Sequence, residues 1–305
     1  MDFKDLSIPF TDQQKLNSFL YLQNFLLEKT QKNEPFFIGR LSGNEPNICG
    51  SILSKQPIPS RLKFEMLTTA GIQFLSKDDI KLYVEKYTNA CKNSNILAIW
   101  SGSMYTQATP FYRLLDNICS DKPRICAQAL EPFYFINHTD YQFPKIFENK
   151  KVLIITSHKE TTKKQLNKHT TIFNKPIFHE STEFYIYKPP QQNAGNHDSN
   201  SWVYHFNIMK NDLIELKKTF DFDIVLTSCG GFGMIISDFI YSELKTSVMY
   251  IGGGLQIYFG IMGNRWKTHP IISKFVNENW TSVNDEDKPS TLTNNPQLCE
   301  NSCYW

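Results

Sequence analysis

The sequence has little net charge of either sign, no paired cysteine motif and no long apolar run, and each lack removes a class of protein. Thirty-two Lys and Arg stand against 30 Asp and Glu, a formal charge of +2. Proteins that bind duplexes use a strong basic excess to displace counterions, so no nucleic-acid partner is expected. The apolar stretches are interrupted by Lys, Asp, Ser or Gly, well short of the roughly 20 residues that a membrane span needs. No transmembrane helix is expected. The first ten residues contain Asp2, Lys4 and Asp5 but no continuous apolar core before a small-residue cleavage site, so no secretory signal is expected. The seven cysteines are odd in number, widely spread and without a C-x-x-C pair, which fits reduced thiols in the cytoplasm. In that setting the sequons at Asn137 and Asn279 read as chance matches.

Familiar ligand motifs are missing too. Gly230-Gly231-Phe232-Gly233 fails the G-x-G-x-x-G dinucleotide pattern, because Met234, Ile235 and Ile236 stand where its third glycine would fall. No G-x-x-x-x-G-K-[ST] loop occurs. His179-Glu180 lacks a second histidine one helical turn on, so a zincin site is not expected.

What the chain does have is length and apolar content. Its 305 residues, 41% hydrophobic and 14% aromatic with 23 Phe, are enough for a large core or an aromatic-lined cleft. Thr11-Asp12-Gln13-Gln14 is a capping box, since the Thr11 hydroxyl and the Gln14 amide satisfy each other's backbone donors, and a helix is predicted to start there. The run 35–41 reads as a buried strand ended by the turn Ser42-Gly43-Asn44, with a helix from Glu45 to about Leu53. Helices follow near 61–75 and 78–91. Four strand-then-helix units are then read, starting at 96–100, 152–156, 223–228 and 247–252, with helices across 109–119 and 159–173 after the first two.

Strands alternating with helices predict an α/β fold, a Rossmann-like, mainly parallel sheet with helices on both faces. Residues 1–280 form one domain in this reading, 281–305 an irregular C-terminal tail, and the breaker-rich 189–200 a surface loop.

In open parallel sheets ligands bind beyond the carboxyl ends of the strands. That rule selects the turns 42–45, 101–103, 157–161, 230–233 and 252–256. Glycines that allow close backbone approach, combined with helix N-termini that favour negative charge, suggest a phosphate site and hence a nucleotide. For any one turn, a helix cap or tight turn is the plainer explanation.

Several of these segments together resemble one family. Phe37-Ile38-Gly39-Arg40-Leu41-Ser42-Gly43-Asn44-Glu45 is similar to the strand and Arg-x-Gly-Asp-Gly-Glu turn of the GT-D glycosyltransferases, long known only as a domain of unknown function. Residues 152–165 resemble the family's strand, Ser-His turn and helix. Residues 223–233 and 250–266 resemble its two C-terminal glycine turns and its Phe-Gly-x-x-Gly-x-Arg-Trp ending. Cys303-Tyr304-Trp305 also looks like the end of related uncharacterised proteins, some encoded by large viruses.

The resemblance implies transfer of a sugar from a UDP-, GDP- or dTDP-linked donor to a glycan or other hydroxyl acceptor. The family's Asp-x-Glu pair is associated with a divalent metal, Mn²⁺ or Mg²⁺, at the donor diphosphate. Here Gly43 stands in the Asp position and Glu45 remains, with Asn44 as a further oxygen donor. The alternative is neutralisation of the diphosphate by Lys159, Lys163 and Arg265 without a metal.

The donor-binding expectation covers Arg40, Gly43, Asn44, Ser157, Thr161, Gly230, Gly231, Gly233, Gly253, Gly254, Gln256 and Arg265. Arg40 lies in a strand otherwise fit for burial, and a buried Arg needs a partner, either a ligand or an internal acid such as Glu45. Glu45 takes the donor or metal position, although an acid in the first turn of a helix also suits the helix dipole. Ser157 and Thr161 offer hydroxyls beside a helix start, where ordinary capping is the competing role. For transfer with inversion a base is needed at the acceptor hydroxyl, and Glu131 and His158 are the candidates. Two other readings stay open: a nucleotide-sugar or glycan-binding protein without catalysis, suggested by Gly43, and an enzyme like the polysaccharide pyruvyl transferases, which needs a phosphoenolpyruvate site.

Overall fold

The computed structural model describes residues 5–293, 295 and 297–305. Its main sheet has seven strands: β1 (Phe37–Arg40), β2 (Ile96–Ile99), β3 (Arg124–Cys126), β4 (Lys151–Thr156), β5 (Glu183–Tyr187), β6 (Ile224–Ser228) and β7 (Ser247–Tyr250). They pair in the order β3-β2-β1-β7-β6-β4-β5, all parallel. A parallel pair requires a crossover between its strands, and helices supply most of them here. The helices are α1 (Asp12–Gln31), α2 (Asn44–Leu53), α3 (Ser60–Thr68), α4 (Lys77–Asn93), α5 (Ser103–Gln107), α6 (Thr109–Ile118), α7 (Lys159–Gln165), α8 (Trp202–Thr219), α9 (Gly233–Ser242), α10 (Leu255–Tyr258), α11 (Asn264–Lys267) and α12 (Leu298–Ser302).

Successive residues of a strand point to opposite faces, so a strand covered on both sides needs apolar residues throughout. In β4, Leu153 and Ile155 join one core while Val152 and Ile154 join the other. The first core packs against α2, α3, α4, α6, α8 and α9, through side chains such as Ile48, Met66, Tyr87, Phe111 and Met209. The second packs against α1 and the short 3-10 turns between residues 127 and 147. Phenylalanine fills these layers: Phe19, Phe36, Phe37, Phe111, Phe133, Phe143, Phe147 and Phe178 are fully buried. Each such ring contributes about 1.5–3 kcal/mol relative to exposure.

The Rossmann-like expectation holds. The capping box at Thr11 is formed, with the Thr11 side chain accepting from the Gln14 amide and the Gln14 side chain reaching back. Two helices are shorter than their periodicity suggested. The one read over 61–75 ends at Thr68, because the chain turns at Gly71 with φ +72°. The one read over 159–173 gives way after Gln165 to a 3-10 turn. Strand β5 and helix α8 were not foreseen. The strand is an edge strand of mixed exposure, running into Pro189 and Pro190, so it lacks the continuous apolar signature of its neighbours.

Segment 281–305 is tied to the rest of the chain at several points. A small strand β9 (Thr281–Ser282) pairs in parallel with β8 (Ile261–Met262). Cys303 and Trp305 are buried, and their carbonyls accept hydrogen bonds from the Arg265 amide (3.0 Å) and the Asn264 amide (3.2 Å). The 189–200 loop is pinned as well. The Ala194 amide donates to the Thr68 carbonyl at 2.7 Å, and the Thr291 hydroxyl donates to the Ala194 carbonyl at 2.7 Å. Among the described residues no helix is long and apolar enough to cross a membrane.

Candidate active site

The chain runs outward from β1 through β2 to β3, and its other four strands lie on the opposite side of β1. The strand order therefore reverses between β1 and β7, where loops on either side diverge and leave a crevice at the carboxyl ends. A cavity of about 520 Å³ lies at this end, lined by the turns after β1, β2, β4, β6 and β7, by residues 189–193, and by Tyr304 and Trp305. Its aromatic lining is mostly Trp and Tyr, with Trp100, Tyr134, Tyr250, Trp266, Tyr304 and Trp305, while most phenylalanines went to the cores.

Arg40, the last residue of β1, projects into this cavity. Its guanidinium carbon lies 5.1 Å from the centre of the Trp100 ring and 5.8 Å from that of Tyr250, so two aromatic faces flank the charge. Gly252, with φ +71°, admits it: a Cβ there would stand 2.5 Å from the Arg40 Nη1. Glu131 enters from the turn after β3 and is buried against Gly254, where a Cβ would meet its Oε1 at 2.8 Å. Burial raises the Glu131 carboxyl to about 7, against the opposing pull of Arg40 and Arg265. Arg265, at the mouth, lies over the Tyr304 ring at 4.9 Å.

Glu45 is buried at the start of α2 and accepts a hydrogen bond from the Ser42 hydroxyl. Ser42, Gly43 and Asn44 line the cavity beside it. Ser157 and His158 line the wall on the β4 side. Burial depresses the His158 imidazole to about 4, with Asp287 opposing and Lys188 adding to the shift, so the ring is neutral at physiological pH. Gln256 is buried and its amide nitrogen donates to the Ile261 carbonyl at 3.0 Å, which closes the loop between α10 and β8.

Thr161, Gly231 and Gly233 lie outside the cavity lining. The start of α7, expected to present Thr161 to a phosphate, is filled by Asp287. Its carboxylate accepts from the Glu160 amide (3.2 Å), the Thr161 amide (2.7 Å) and the Thr161 hydroxyl (2.7 Å), with Lys188 Nζ 3.7 Å away. A side-chain anion thus sits where the ligand's was expected. Gly231 is needed for packing, since a Cβ would stand 2.4 Å from Ile72 Cγ1, and Gly233 likewise at 2.2 Å from the Tyr250 ring. Gly230, Gly253 and Gly254 do line the cavity, but Tyr304 covers Gly253, leaving 2.3 Å to a Cβ. Lys159 and Lys163 are also absent from the lining.

Sequence reasoning missed Trp100, Tyr134, Tyr250, His269, Trp305 and the 189–193 loop. Trp100 and Tyr250 were within reach of it, since they stand at or just beyond the carboxyl ends of strands it had identified. Asp287 had no local signal.

Comparisons with protein-family models, with curated proteins and with solved structures return no match to this chain. The fold and the site define a Rossmann-like α/β protein with one crevice at the carboxyl edge of its sheet, in which a buried acid faces two arginines.

Proposed function

We propose that the chain is a cytoplasmic glycosyltransferase that moves a sugar from a nucleoside-diphosphate donor, UDP-, GDP- or dTDP-linked, to a hydroxyl of a glycan acceptor. The observation that carries this reading is Glu131, a buried carboxyl at about 7 that faces Arg40 and Arg265 in the crevice. A base whose pKa lies near the working pH combines a useful ionised fraction with a strong pull on a proton. In the reaction the acceptor oxygen attacks the anomeric carbon while Glu131 takes the hydroxyl proton. The bond from the anomeric carbon to the phosphate oxygen breaks, and its electron pair leaves with the diphosphate. Arg40 and Arg265 hold the charge that develops there, which suits the planar fork of a guanidinium.

The residues present make a poor metal site. Among the described residues no three His, Cys, Asp or Glu side chains come together as a ligand set. Gly43 brings no side-chain oxygen and Glu45 is engaged by Ser42. A Mn²⁺ or Mg²⁺ at Glu45 and Asn44 would have to take most of its oxygen ligands from the donor diphosphate and water.

The test is hydrolysis of a panel of nucleotide sugars, run with and without Mn²⁺. Slow turnover of one donor, suppressed in Glu131→Gln with donor affinity retained, is the expected result. Absence of both hydrolysis and a thermal shift with every donor sinks the reading. Binding without hydrolysis selects the second reading, a nucleotide-sugar or glycan-binding protein. That reading is favoured by Gly43 in the position of the family's acid and by Tyr304 lying over Gly253.

A further inference from the structure

Gly252, Gly253 and Gly254 are consecutive residues without side chains, and each leaves room for a different side chain at the crevice. An added Cβ would stand under 3.0 Å from Arg40 Nη1 at the first, from Tyr304 Cε1 at the second and from Glu131 Oε1 at the third. Arg40 and Glu131 have roles in the site already. Tyr304, brought in from the segment 281–305, has none so far.

What Tyr304 carries is Arg265. The guanidinium carbon lies 4.9 Å from the centre of the Tyr304 ring, and Nη1 stands 3.5 Å from its hydroxyl. That distance is long for a hydrogen bond, so the ring face is the main contact. The indole of Trp266 lies on Arg265 as well, at 5.9 Å, so Arg265 meets one Trp and one Tyr just as Arg40 meets Trp100 and Tyr250. The backbone ties the same pair together. The Arg265 amide donates to the Cys303 carbonyl at 3.0 Å and the Asn264 amide to the Trp305 carbonyl at 3.2 Å, so bonds on both sides of Tyr304 hold it against the turn that bears Arg265. Trp305 is buried beyond it, edge to face with His158 at 6.1 Å between ring centres.

A tyrosine in this place has two possible roles with opposite consequences. A plug over Gly253 would compete with a ligand, whereas a rest for Arg265 would cooperate with one. A long arginine side chain loses rotamer freedom when it binds an anion, and a flat ring that holds it beforehand lowers that cost. The ring contact and the paired backbone bonds tie Tyr304 to a residue of the site, which favours the second role.

We infer that Tyr304 is a positioning residue, which holds Arg265 at the crevice so that Arg265 and Arg40 bind one anion, a pyrophosphate or a nucleoside diphosphate. The inference rests on the glycosyl-transfer reading for the identity of the anion.

The test titrates the full chain by calorimetry with inorganic pyrophosphate, UDP, GDP and dTDP, so that no turnover is needed. The wild type is expected to bind at least one of them. Tyr304→Leu and Tyr304→Met remove the ring and keep its bulk, and each is expected to weaken that binding about 2- to 30-fold, the range of one cation–π contact. Either variant suffices, once circular dichroism has verified its fold. Tyr304→Phe keeps the ring face and should stay within about 2-fold of the wild type. Arg265→Gln should weaken binding too, and adding Tyr304→Leu or Tyr304→Met to it should change nothing further, because a positioning residue acts through the residue it positions. A merely structural role gives additive losses instead. Four results overturn the inference: no probe binds the wild type, the losses add in full, Tyr304→Phe loses as much as the ringless variants, or removal of the ring tightens binding as a plug would. Coupled losses in a protein that hydrolyses no nucleotide sugar uphold the inference and remove the transfer reading. Donor hydrolysis with additive losses does the reverse.

Discussion

The guanidinium of Arg40 rests in the space that a side chain at residue 252 would occupy, 2.5 Å from where a Cβ would stand. One residue supplies positive charge to the crevice and the other, two residues beyond β7, supplies the room. Substitution of Gly252 by alanine is therefore expected to act twice. Its φ of +71° costs an L-residue about 1–2 kcal/mol, and the new methyl group displaces Arg40. Donor binding in thermal-shift titrations should weaken along with stability. Gly102→Ala is the control: φ there is +68°, yet the nearest atom to its Cβ is Pro9 Cγ at 3.6 Å, so it should lower stability and leave donor binding unchanged.

Glu131 makes stability depend on pH. Burial raises its carboxyl from 4.5 to about 7, so the folded state holds this proton more tightly than the unfolded chain. Its contribution is fully present below about 4.5 and is lost as pH rises through about 7. Glu131→Gln removes that dependence. At pH 8 the variant should be more stable than the wild type by up to about 3 kcal/mol in urea unfolding, while turnover falls by roughly 10²- to 10⁴-fold. A wild-type stability curve flat across this range would show that the carboxyl is not buried as described.

His158 works in the opposite sense. Its imidazole falls from 6.5 to about 4, so the neutral ring is the folded form, and its contribution is present above about 6.5 and lost as pH falls through about 4. In NMR titrations the His158 ring should stay neutral at pH 5.5.

Asp287 joins the tail to α7, with its carboxylate wholly buried. Asp287→Ala leaves two backbone donors and a hydroxyl without their acceptor, removes the ion-pair partner of Lys188, and is expected to cost about 2–4 kcal/mol. Hydrogen exchange should rise at Glu160, Thr161 and Asn284, whose amides take part in this cluster. The Thr11 capping box, far from it, should keep its protection.

The alternation of strand and helix was legible in the residues because it is local. The apolar runs at 96–99, 151–156, 224–228 and 247–250 are each bounded by turn-formers, and a strand buried on both faces has no other way to be written. The capping box at Thr11 needed four consecutive residues and no more. From the strands alone followed the edge of the sheet at which a site would form, and so the places of Arg40, Glu45 and Gly254.

Which residues of the glycine turns face that site was decided only by tertiary structure. Gly230 and Gly231 are neighbours with the same side chain, yet one lines the cavity and the other packs against Ile72. Thr161 stood at a helix start, where a phosphate and a carboxylate satisfy the same donors, and a carboxylate 126 residues away takes the place. Glu131 acquires its raised proton affinity from desolvation, which outweighs the opposing pull of two arginines brought in from β1 and α11. Periodicity and capping are written within a few residues of the chain, whereas burial and charge proximity exist only after distant segments have packed together.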